Sequence, residues 1–291
     1  MNPQVLLVNM TALGAVPLPP HVASVSTLKS LSAGGQIVRS FARRLSLCLL
    51  SYFEDFSVLK PYGDVDTVIL FDYKGMANAC RQIDSVMKHG CRRVAFFWNV
   101  VDNAQLLKSI PDGWEIWTFD PADAKRFGIH LAGQFYFPEL YTPGRACDYD
   151  LFFVGHDKGR QKPLKALEAN LPADFRFENR LVKSRLKSKE YPYAACVEAA
   201  SRSKAILDWV RAGQTGLSMR ALEAPALGRK LVTNNPAVMD YALYNPSNTL
   251  VLTDMDTRKI VDFVNGEEPR WDETLLREFT FADWLRRNLN Q

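Results

Sequence analysis

Between Ser203 and Asn235 the chain reads SKAILDWVRAGQTGLSMRALEAPALGRKLVTNN, and this order of segments restricts the fold more than any other stretch. A short apolar run, Ala205 to Val210, is interrupted by Asp208. A polar turn with two glycines, Gly213 and Gly216, follows, then a helical segment from Ser218 to Leu227 and a second apolar run from Leu231 to Thr233. Strand, loop, helix, strand is the repeating unit of a parallel sheet covered by helices. In such a unit the loop at the carboxyl end of the strand faces a crevice, and the following helix points its unpaired amides into it. An anion site is therefore expected here.

The side chains sharpen that expectation. Gln214, Thr215 and Ser218 offer neutral hydrogen-bonding groups, while Gly213 and Gly216 let backbone approach a ligand closely. Arg220, in the first helical turn, has the planar fork of donors that pairs with phosphate. Glu223 lies three residues on and shares a helix face with it. A carboxylate there suits two adjacent hydroxyls, such as a ribose presents, beside phosphates taken by the cation. The alternative is structural: Thr215 or Ser218 caps the helix and Arg220 pairs with Glu223 on its surface.

The segment GQTGLSMRALEAPALGRKLVTNN resembles the carboxyl-terminal domain of bacterial GT-B glycosyltransferases. It is most similar to the lipopolysaccharide-core and capsule biosynthesis transferases that carry a GQ-T-GL-[ST]-x-R-x-x-E segment. The resemblance implies an α/β fold of two Rossmann-like domains facing a cleft, with a nucleotide-sugar donor on the second domain and an acceptor on the first. It also implies Glu223 as the ribose ligand, with Arg220 and the amides of Gly216, Leu217 and Ser218 as pyrophosphate ligands.

A chain of 291 residues suits two domains of ordinary size. Gln4 to Asn9 opens it as a buried parallel strand. A loop from Thr11 to Pro20 follows, which by the resemblance lies at the interdomain cleft and makes His21 a candidate base; otherwise His21 starts a helix. Residues 35 to 56 read as a helix with Arg39, Arg43 and Arg44 among its apolar positions, either a solvated face or a surface for anionic lipid. Thr67 to Phe71, Arg93 to Trp98 and Glu115 to Phe119 read as strands that end at Asp72, Asn99 and Asp120, with a helix from Met76 to His89 and a further strand over Gln134 to Phe137. Polar residues at such ends line the mouth of a crevice. Phe119 to Ile129, FDPADAKRFGI, is similar to an FD-x-x-D-x-x-x-[FY]-G segment of the same transferases, so Asp120 joins Asp102 and His21 as a candidate base, unless it caps the next helix.

The aperiodic stretch from Pro138 to Asp150 marks the expected boundary, giving an acceptor-binding domain over 1–143 and a donor-binding domain over 144–270. A segment over 271–291 would cross back to the first domain through a helix from Phe281 to Leu289. Asp150 to Val154 restarts as a strand and runs into GHDKGRQK, before a helix near Leu164 to Ala169. Gly155, Lys158 and Arg160 form a second basic, glycine-bearing loop at a strand end. By the resemblance, such cations neutralise charge on the departing nucleotide diphosphate, electrostatic stabilisation that replaces a bound metal. Asp174 to Phe177 reads as a strand, Arg180 to Lys189 as an exposed basic connector, and Tyr193 to Ser201 as a helix. Asn248 to Thr253 gives a last strand and Arg258 to Asn265 a helix.

A net charge of +4 without a lysine and arginine block fits phosphorylated ligands or an anionic membrane surface and gives no sign of a nucleic-acid arm. The five cysteines are scattered without metal-ligand spacing, and the resemblance implies no metal or cofactor beyond the donor as co-substrate. Neither a secretion signal nor an apolar run of membrane-spanning length is seen, which points to the cytoplasm, with contact at the inner face of the membrane. Two other readings fit the same residues. One is an epimerase or phosphorylase, though no G-x-G-x-x-G follows the first strand to hold a nicotinamide cofactor. The other is a non-catalytic nucleotide- or glycan-binding subunit of a polysaccharide assembly complex.

Overall fold

The computed structural model describes residues 3–10, 16–29, 52–143, 146–182 and 191–290. The chain divides into two compact units, Met1–Ala132 and Gly133–Gln291. Each is a parallel sheet with helices, an α/β architecture of Rossmann-like units.

In the first unit β1 (Val5–Val8), β2 (Val22–Val25), β3 (Thr67–Phe71), β4 (Arg92–Phe97), β5 (Glu115–Thr118) and β6 (His130–Leu131) lie in the order β2-β1-β3-β4-β5-β6. Every named pairing is parallel. β1 and β3 are buried along their whole length, as their unbroken apolar sequences require of strands covered on both faces. α1 (Met76–Asp84) buries Met76, Ala79, Cys80 and Ile83, positions recurring at three and four residues along one face. Shorter helices, α2 (Ala104–Lys108) and α3 (Pro121–Phe127), follow β4 and β5. The chain leaves β1 toward β2 on one side and takes up β3 on the other, which puts a topological switch point between β1 and β3.

His21 does not begin a helix. It precedes edge strand β2, and its carbonyl accepts from the amides of Gln4 (2.8 Å) and Val5 (3.1 Å). The sequence concealed β2 because only Val22 of its four residues is buried. The expected basic helix over 35–56 falls largely outside the described residues, and Phe56 begins a 3-10 helix, Phe56–Tyr62, capped by Asp55.

The second unit holds β7 (Tyr149–His156), β8 (Phe177–Val182), β9 (Ser203–Asp208), β10 (Lys230–Thr233) and β11 (Thr249–Val251) in the order β11-β10-β9-β7-β8, again with all pairings parallel. Side chains alternate between two apolar layers. Leu151 and Phe153 of β7 join Ala205 and Leu207 of β9 in one, while Phe152 and Ile206 face the other. The helices are α4 (Gln161–Asn170), α5 (Tyr193–Ser201), α6 (Met219–Ala226), α7 (Thr257–Asn265), α8 (Glu273–Arg277) and α9 (Phe281–Leu289). Among the described residues, no helix is long and apolar enough to cross a membrane.

Three sequence expectations shift. The strand placed at Asp174 to Phe177 begins only at Phe177, because the Phe175 amide closes a turn on the Pro172 carbonyl (3.0 Å). Arg180 therefore lies within β8, donating to Glu178 (2.7 Å), rather than in an exposed connector; positions 183–190 are outside the described residues. Gln134 to Phe137 is not a ladder strand. Tyr136 makes a single bridge to Thr280, its amide donating to the Phe279 carbonyl (2.9 Å) and its carbonyl accepting from Phe281 (2.8 Å).

These bonds also account for the grouping of residues 133–137 with the second compact unit. Phe135 packs against Phe281 (centroids 5.1 Å apart) and Trp284 (4.7 Å), and Phe137 against Phe281 (4.8 Å). Trp284 adds an indole bond to the Gly133 carbonyl at 3.2 Å. α9 thus packs on residues 133–137, which belong with the second unit. Trp284 is fully buried, so Trp284→Ala is expected to cost about 3–5 kcal/mol. Trp284→Phe should cost less, and chemical denaturation monitored by circular dichroism measures both.

Candidate anion site

The loop between β9 and α6 is shaped by a few local constraints. Gly213 turns at φ 82, where a β-carbon would strain the backbone. Gln214 Nε2 donates to the Gly216 carbonyl (3.1 Å), and buried Asn235 donates through Nδ2 to the same carbonyl (3.3 Å) and to that of Thr215 (3.5 Å). Leu217 sinks into the core, and its carbonyl accepts from Gln134 Nε2 at 3.5 Å.

Ser218 caps α6, its Oγ accepting from the amides of Arg220 (3.1 Å) and Ala221 (3.4 Å). The amides of Leu217 and Ser218 donate to no acceptor among the described residues. They lie at the positive end of the helix dipole. Ser218 thus fulfils the structural alternative read from the sequence without removing the anion-binding character of the turn.

Arg220 is not paired with Glu223 on an exposed helix face. Its Nε donates to the Val154 carbonyl (2.7 Å), its Nη1 lies 3.5 Å from Asp208 Oδ1, and its guanidinium stands over the Phe153 ring at 5.2 Å. Gly155 makes this possible, since a β-carbon there would come 2.5 Å from Arg220 Nη2. The chain has glycine where the guanidinium needs the space.

Asp208 is the residue that sequence reasoning passed over. It is buried at the end of β9, accepts from Ser218 Oγ (2.6 Å) and Thr233 Oγ1 (3.3 Å) and faces Arg220. Its signal was its place at the end of an apolar run, the same placement that singled out Asp72 and Asp120.

The second basic loop divides its residues between two tasks. Arg160 is buried and donates to the carbonyls of Trp209 (2.5 Å) and His156 (2.9 Å), joining the loops that follow β7 and β9. Burial, with the nearby Arg220 charge, pushes its pKa down to about 10. Lys158 is exposed, in a turn where it takes φ 40 and Gly159 φ 88. Burial and the charges of Lys158, Arg160 and Arg220 also lower the pKa of His156. Lys158, Arg160 and Arg220 thus lie near one sheet edge, together with Asp157 and Asp208.

Glu223 is buried on α6, where its Oε1 accepts from Tyr193 Oη at 2.8 Å. Burial raises its pKa, while Arg220 and the Tyr193 hydrogen bond act in the opposite direction. Its Oε2 accepts no hydrogen bond among the described residues. The structure thereby brings Gly155, Lys158, Arg160, Gln214, Thr215, Gly216, Leu217, Ser218, Arg220 and Glu223 together in the second unit, around the carboxyl ends of β7 and β9.

Asp120, Asp102 and His21 belong to the first unit. Asp120 is fully buried and its Oδ1 caps α3, accepting from Ala122 (2.9 Å) and Asp123 (3.2 Å). Asp102 and His21 are exposed. Asp72, at the end of β3, accepts from the Trp98 amide (2.7 Å) and from Asn99 Nδ2 (3.0 Å), so it ties two strand ends together. Among the described residues no group of three or more histidine, cysteine, aspartate and glutamate side chains is arranged to hold a metal ion.

No family model matches the chain, and no curated protein does. Among solved structures it is similar to a beta-glucosyltransferase, a DNA modifying enzyme studied in the presence and absence of uridine diphosphoglucose. Sequence identity is 12% and the TM-score 0.44, over 98% of this chain and 94% of that one. A likeness at that level carries no conclusion about this chain's ligand or reaction.

Two substitutions separate the roles of the two arginines. Gly155→Ala pushes against the Arg220 guanidinium and should weaken binding of inorganic pyrophosphate about tenfold, or ~1.4 kcal/mol, measured by calorimetry. The melting temperature should fall as well, because the displaced guanidinium links the Val154 carbonyl and Asp208. Arg160→Ala instead leaves two carbonyls without their donor and should cost about 1–3 kcal/mol in stability for each acceptor stranded away from water, measured by denaturation.

Proposed function

We propose that this chain is a GT-B type glycosyltransferase that moves a sugar from a nucleotide-sugar donor to a hydroxyl of a bacterial surface glycan. The supporting observation is the arrangement on α6. Unpaired amides and Arg220 at its start offer a place for a diphosphate, and Glu223 one turn on offers a carboxylate oxygen for the ribose diol. The sequence resemblance assigns the same roles to the same residues.

In this reading the bond between the sugar's anomeric carbon and the diphosphate oxygen breaks while the acceptor oxygen bonds to that carbon. Negative charge collects on the leaving diphosphate, where Arg220, Lys158 and the helix amides stabilise it in a partly buried setting. Arg160 contributes its charge from behind the loop while holding the strand ends in place. An inverting reaction needs a base for the acceptor proton, and Asp102 and His21 carry exposed groups suited to that task; Asp120, held as a helix cap, is less available. The acceptor would be a growing lipopolysaccharide, capsule or exopolysaccharide unit at the inner face of the cell membrane.

A thermal-shift screen against UDP, GDP, dTDP, CMP and ADP tests the donor site. One nucleotide at a hundred times its dissociation constant should add about 2.7 kcal/mol to the stability of the wild type. Arg220→Ala and Glu223→Ala should each lose most of that gain. Absence of any stabilising nucleotide would count against the donor site and with it the transferase reading.

A further inference from the structure

Behind Glu223 lies a pair of tyrosines from distant parts of the second unit. Tyr193, at the start of α5, donates to Glu223 Oε1 at 2.8 Å, and Tyr141 forms a short hydrogen bond to the Tyr193 hydroxyl. With Glu223 ionised, the order of protons along this chain is fixed. An ionised carboxylate only accepts, so the Tyr193 proton points at Glu223, and the Tyr193 oxygen must then accept from Tyr141. Burial raises the pKa of both phenols well above the usual value, with the Glu223 charge adding to it, so both remain neutral donors.

Packing alone would be served by phenylalanine at these positions, since burying a hydroxyl costs free energy unless it is bonded. The bonds made here hold one oxygen of one carboxylate, leaving Oε2 without a hydrogen-bonding partner among the described residues. We propose that Tyr193, backed by Tyr141, is a positioning residue that fixes Glu223 Oε1 so that Oε2 meets the vicinal hydroxyls of a ribose. The site then selects ribonucleoside over 2′-deoxyribonucleoside diphosphates. This inference rests on the donor-site reading above.

The test compares binding of UDP, GDP, CDP and ADP with their 2′-deoxy counterparts by calorimetry, in wild type, Tyr193→Phe, Tyr141→Phe and Glu223→Gln. The wild type should prefer the ribose form of its nucleotide by about tenfold or more, because a site built around a hydroxyl rejects its absence. Tyr193→Phe should lose most of that preference by weakening the ribose form alone, and Tyr141→Phe should lose part of it. A change of packing without positioning would weaken both forms equally.

A pH series gives a second readout. Glu223 faces Arg220 on its own helix, Asp208 on β9, Tyr193 and Cys196 on α5, and Tyr141. The Tyr193 hydrogen bond lowers the Glu223 pKa, so its removal raises that pKa, and the pH below which ribose preference is lost should move upward in Tyr193→Phe. A ribose preference and acid limb that are unchanged in Tyr193→Phe would overturn the positioning role while leaving the donor site standing. If the wild type binds no ribonucleoside diphosphate, the donor site itself falls and this inference falls with it.

Discussion

The guanidinium of Arg220 is the point through which the second unit's site is held together. It bonds to the carbonyl of Val154 on β7, lies against Asp208 on β9 and covers the ring of Phe153. Asp208 in turn binds Ser218, which caps α6, and Thr233 at the end of β10. Three strand ends and a helix start therefore share one charged contact. A buried charge is tolerable only when paired and hydrogen-bonded, and Asp208 lies in a neighbourhood that also contains Arg160 and Asp157.

This arrangement also explains why two residues that look alike in sequence behave differently. Arg160 and Arg220 both follow glycines near strand ends, and both read as phosphate ligands. Arg160 enters a pocket of carbonyls and becomes part of the scaffold. Arg220 is directed by Gly155 and Asp208 to the sheet edge. The difference lies in which backbone carbonyls are left without partners at the ends of β7 and β9, and that depends on the assembled sheet.

Much of the fold was legible because its signals are local. TVILF at β3, the helix Tyr193–Ser201 and the helix Phe281–Leu289 follow from apolar runs and helical periodicity, and the cap of α6 from Ser218. Edge strand β2 was hidden because an exposed strand need not be apolar. The short apolar run at Gln134 to Phe137 reads like a strand, yet Tyr136 makes only a single bridge, to the residue just before α9. The Tyr141, Tyr193 and Glu223 chain had no local signature: its members are separated by 52 and 30 positions and meet only after the sheet has formed. Asp208 could have been found by applying to the second unit the rule already applied to the first.

The bond from Trp284 to the Gly133 carbonyl joins positions 151 residues apart. During synthesis, the first unit's sheet is complete in sequence by Leu131, and domains generally fold as units from the amino terminus. The segment from Gly133 to Phe137 has no such option. Phe135 and Phe137 gain Phe281 and Trp284 as ring neighbours only once α9 has been made. The second unit therefore cannot close its fold from its amino-terminal end onward: its first segment is fixed in place by its last helix.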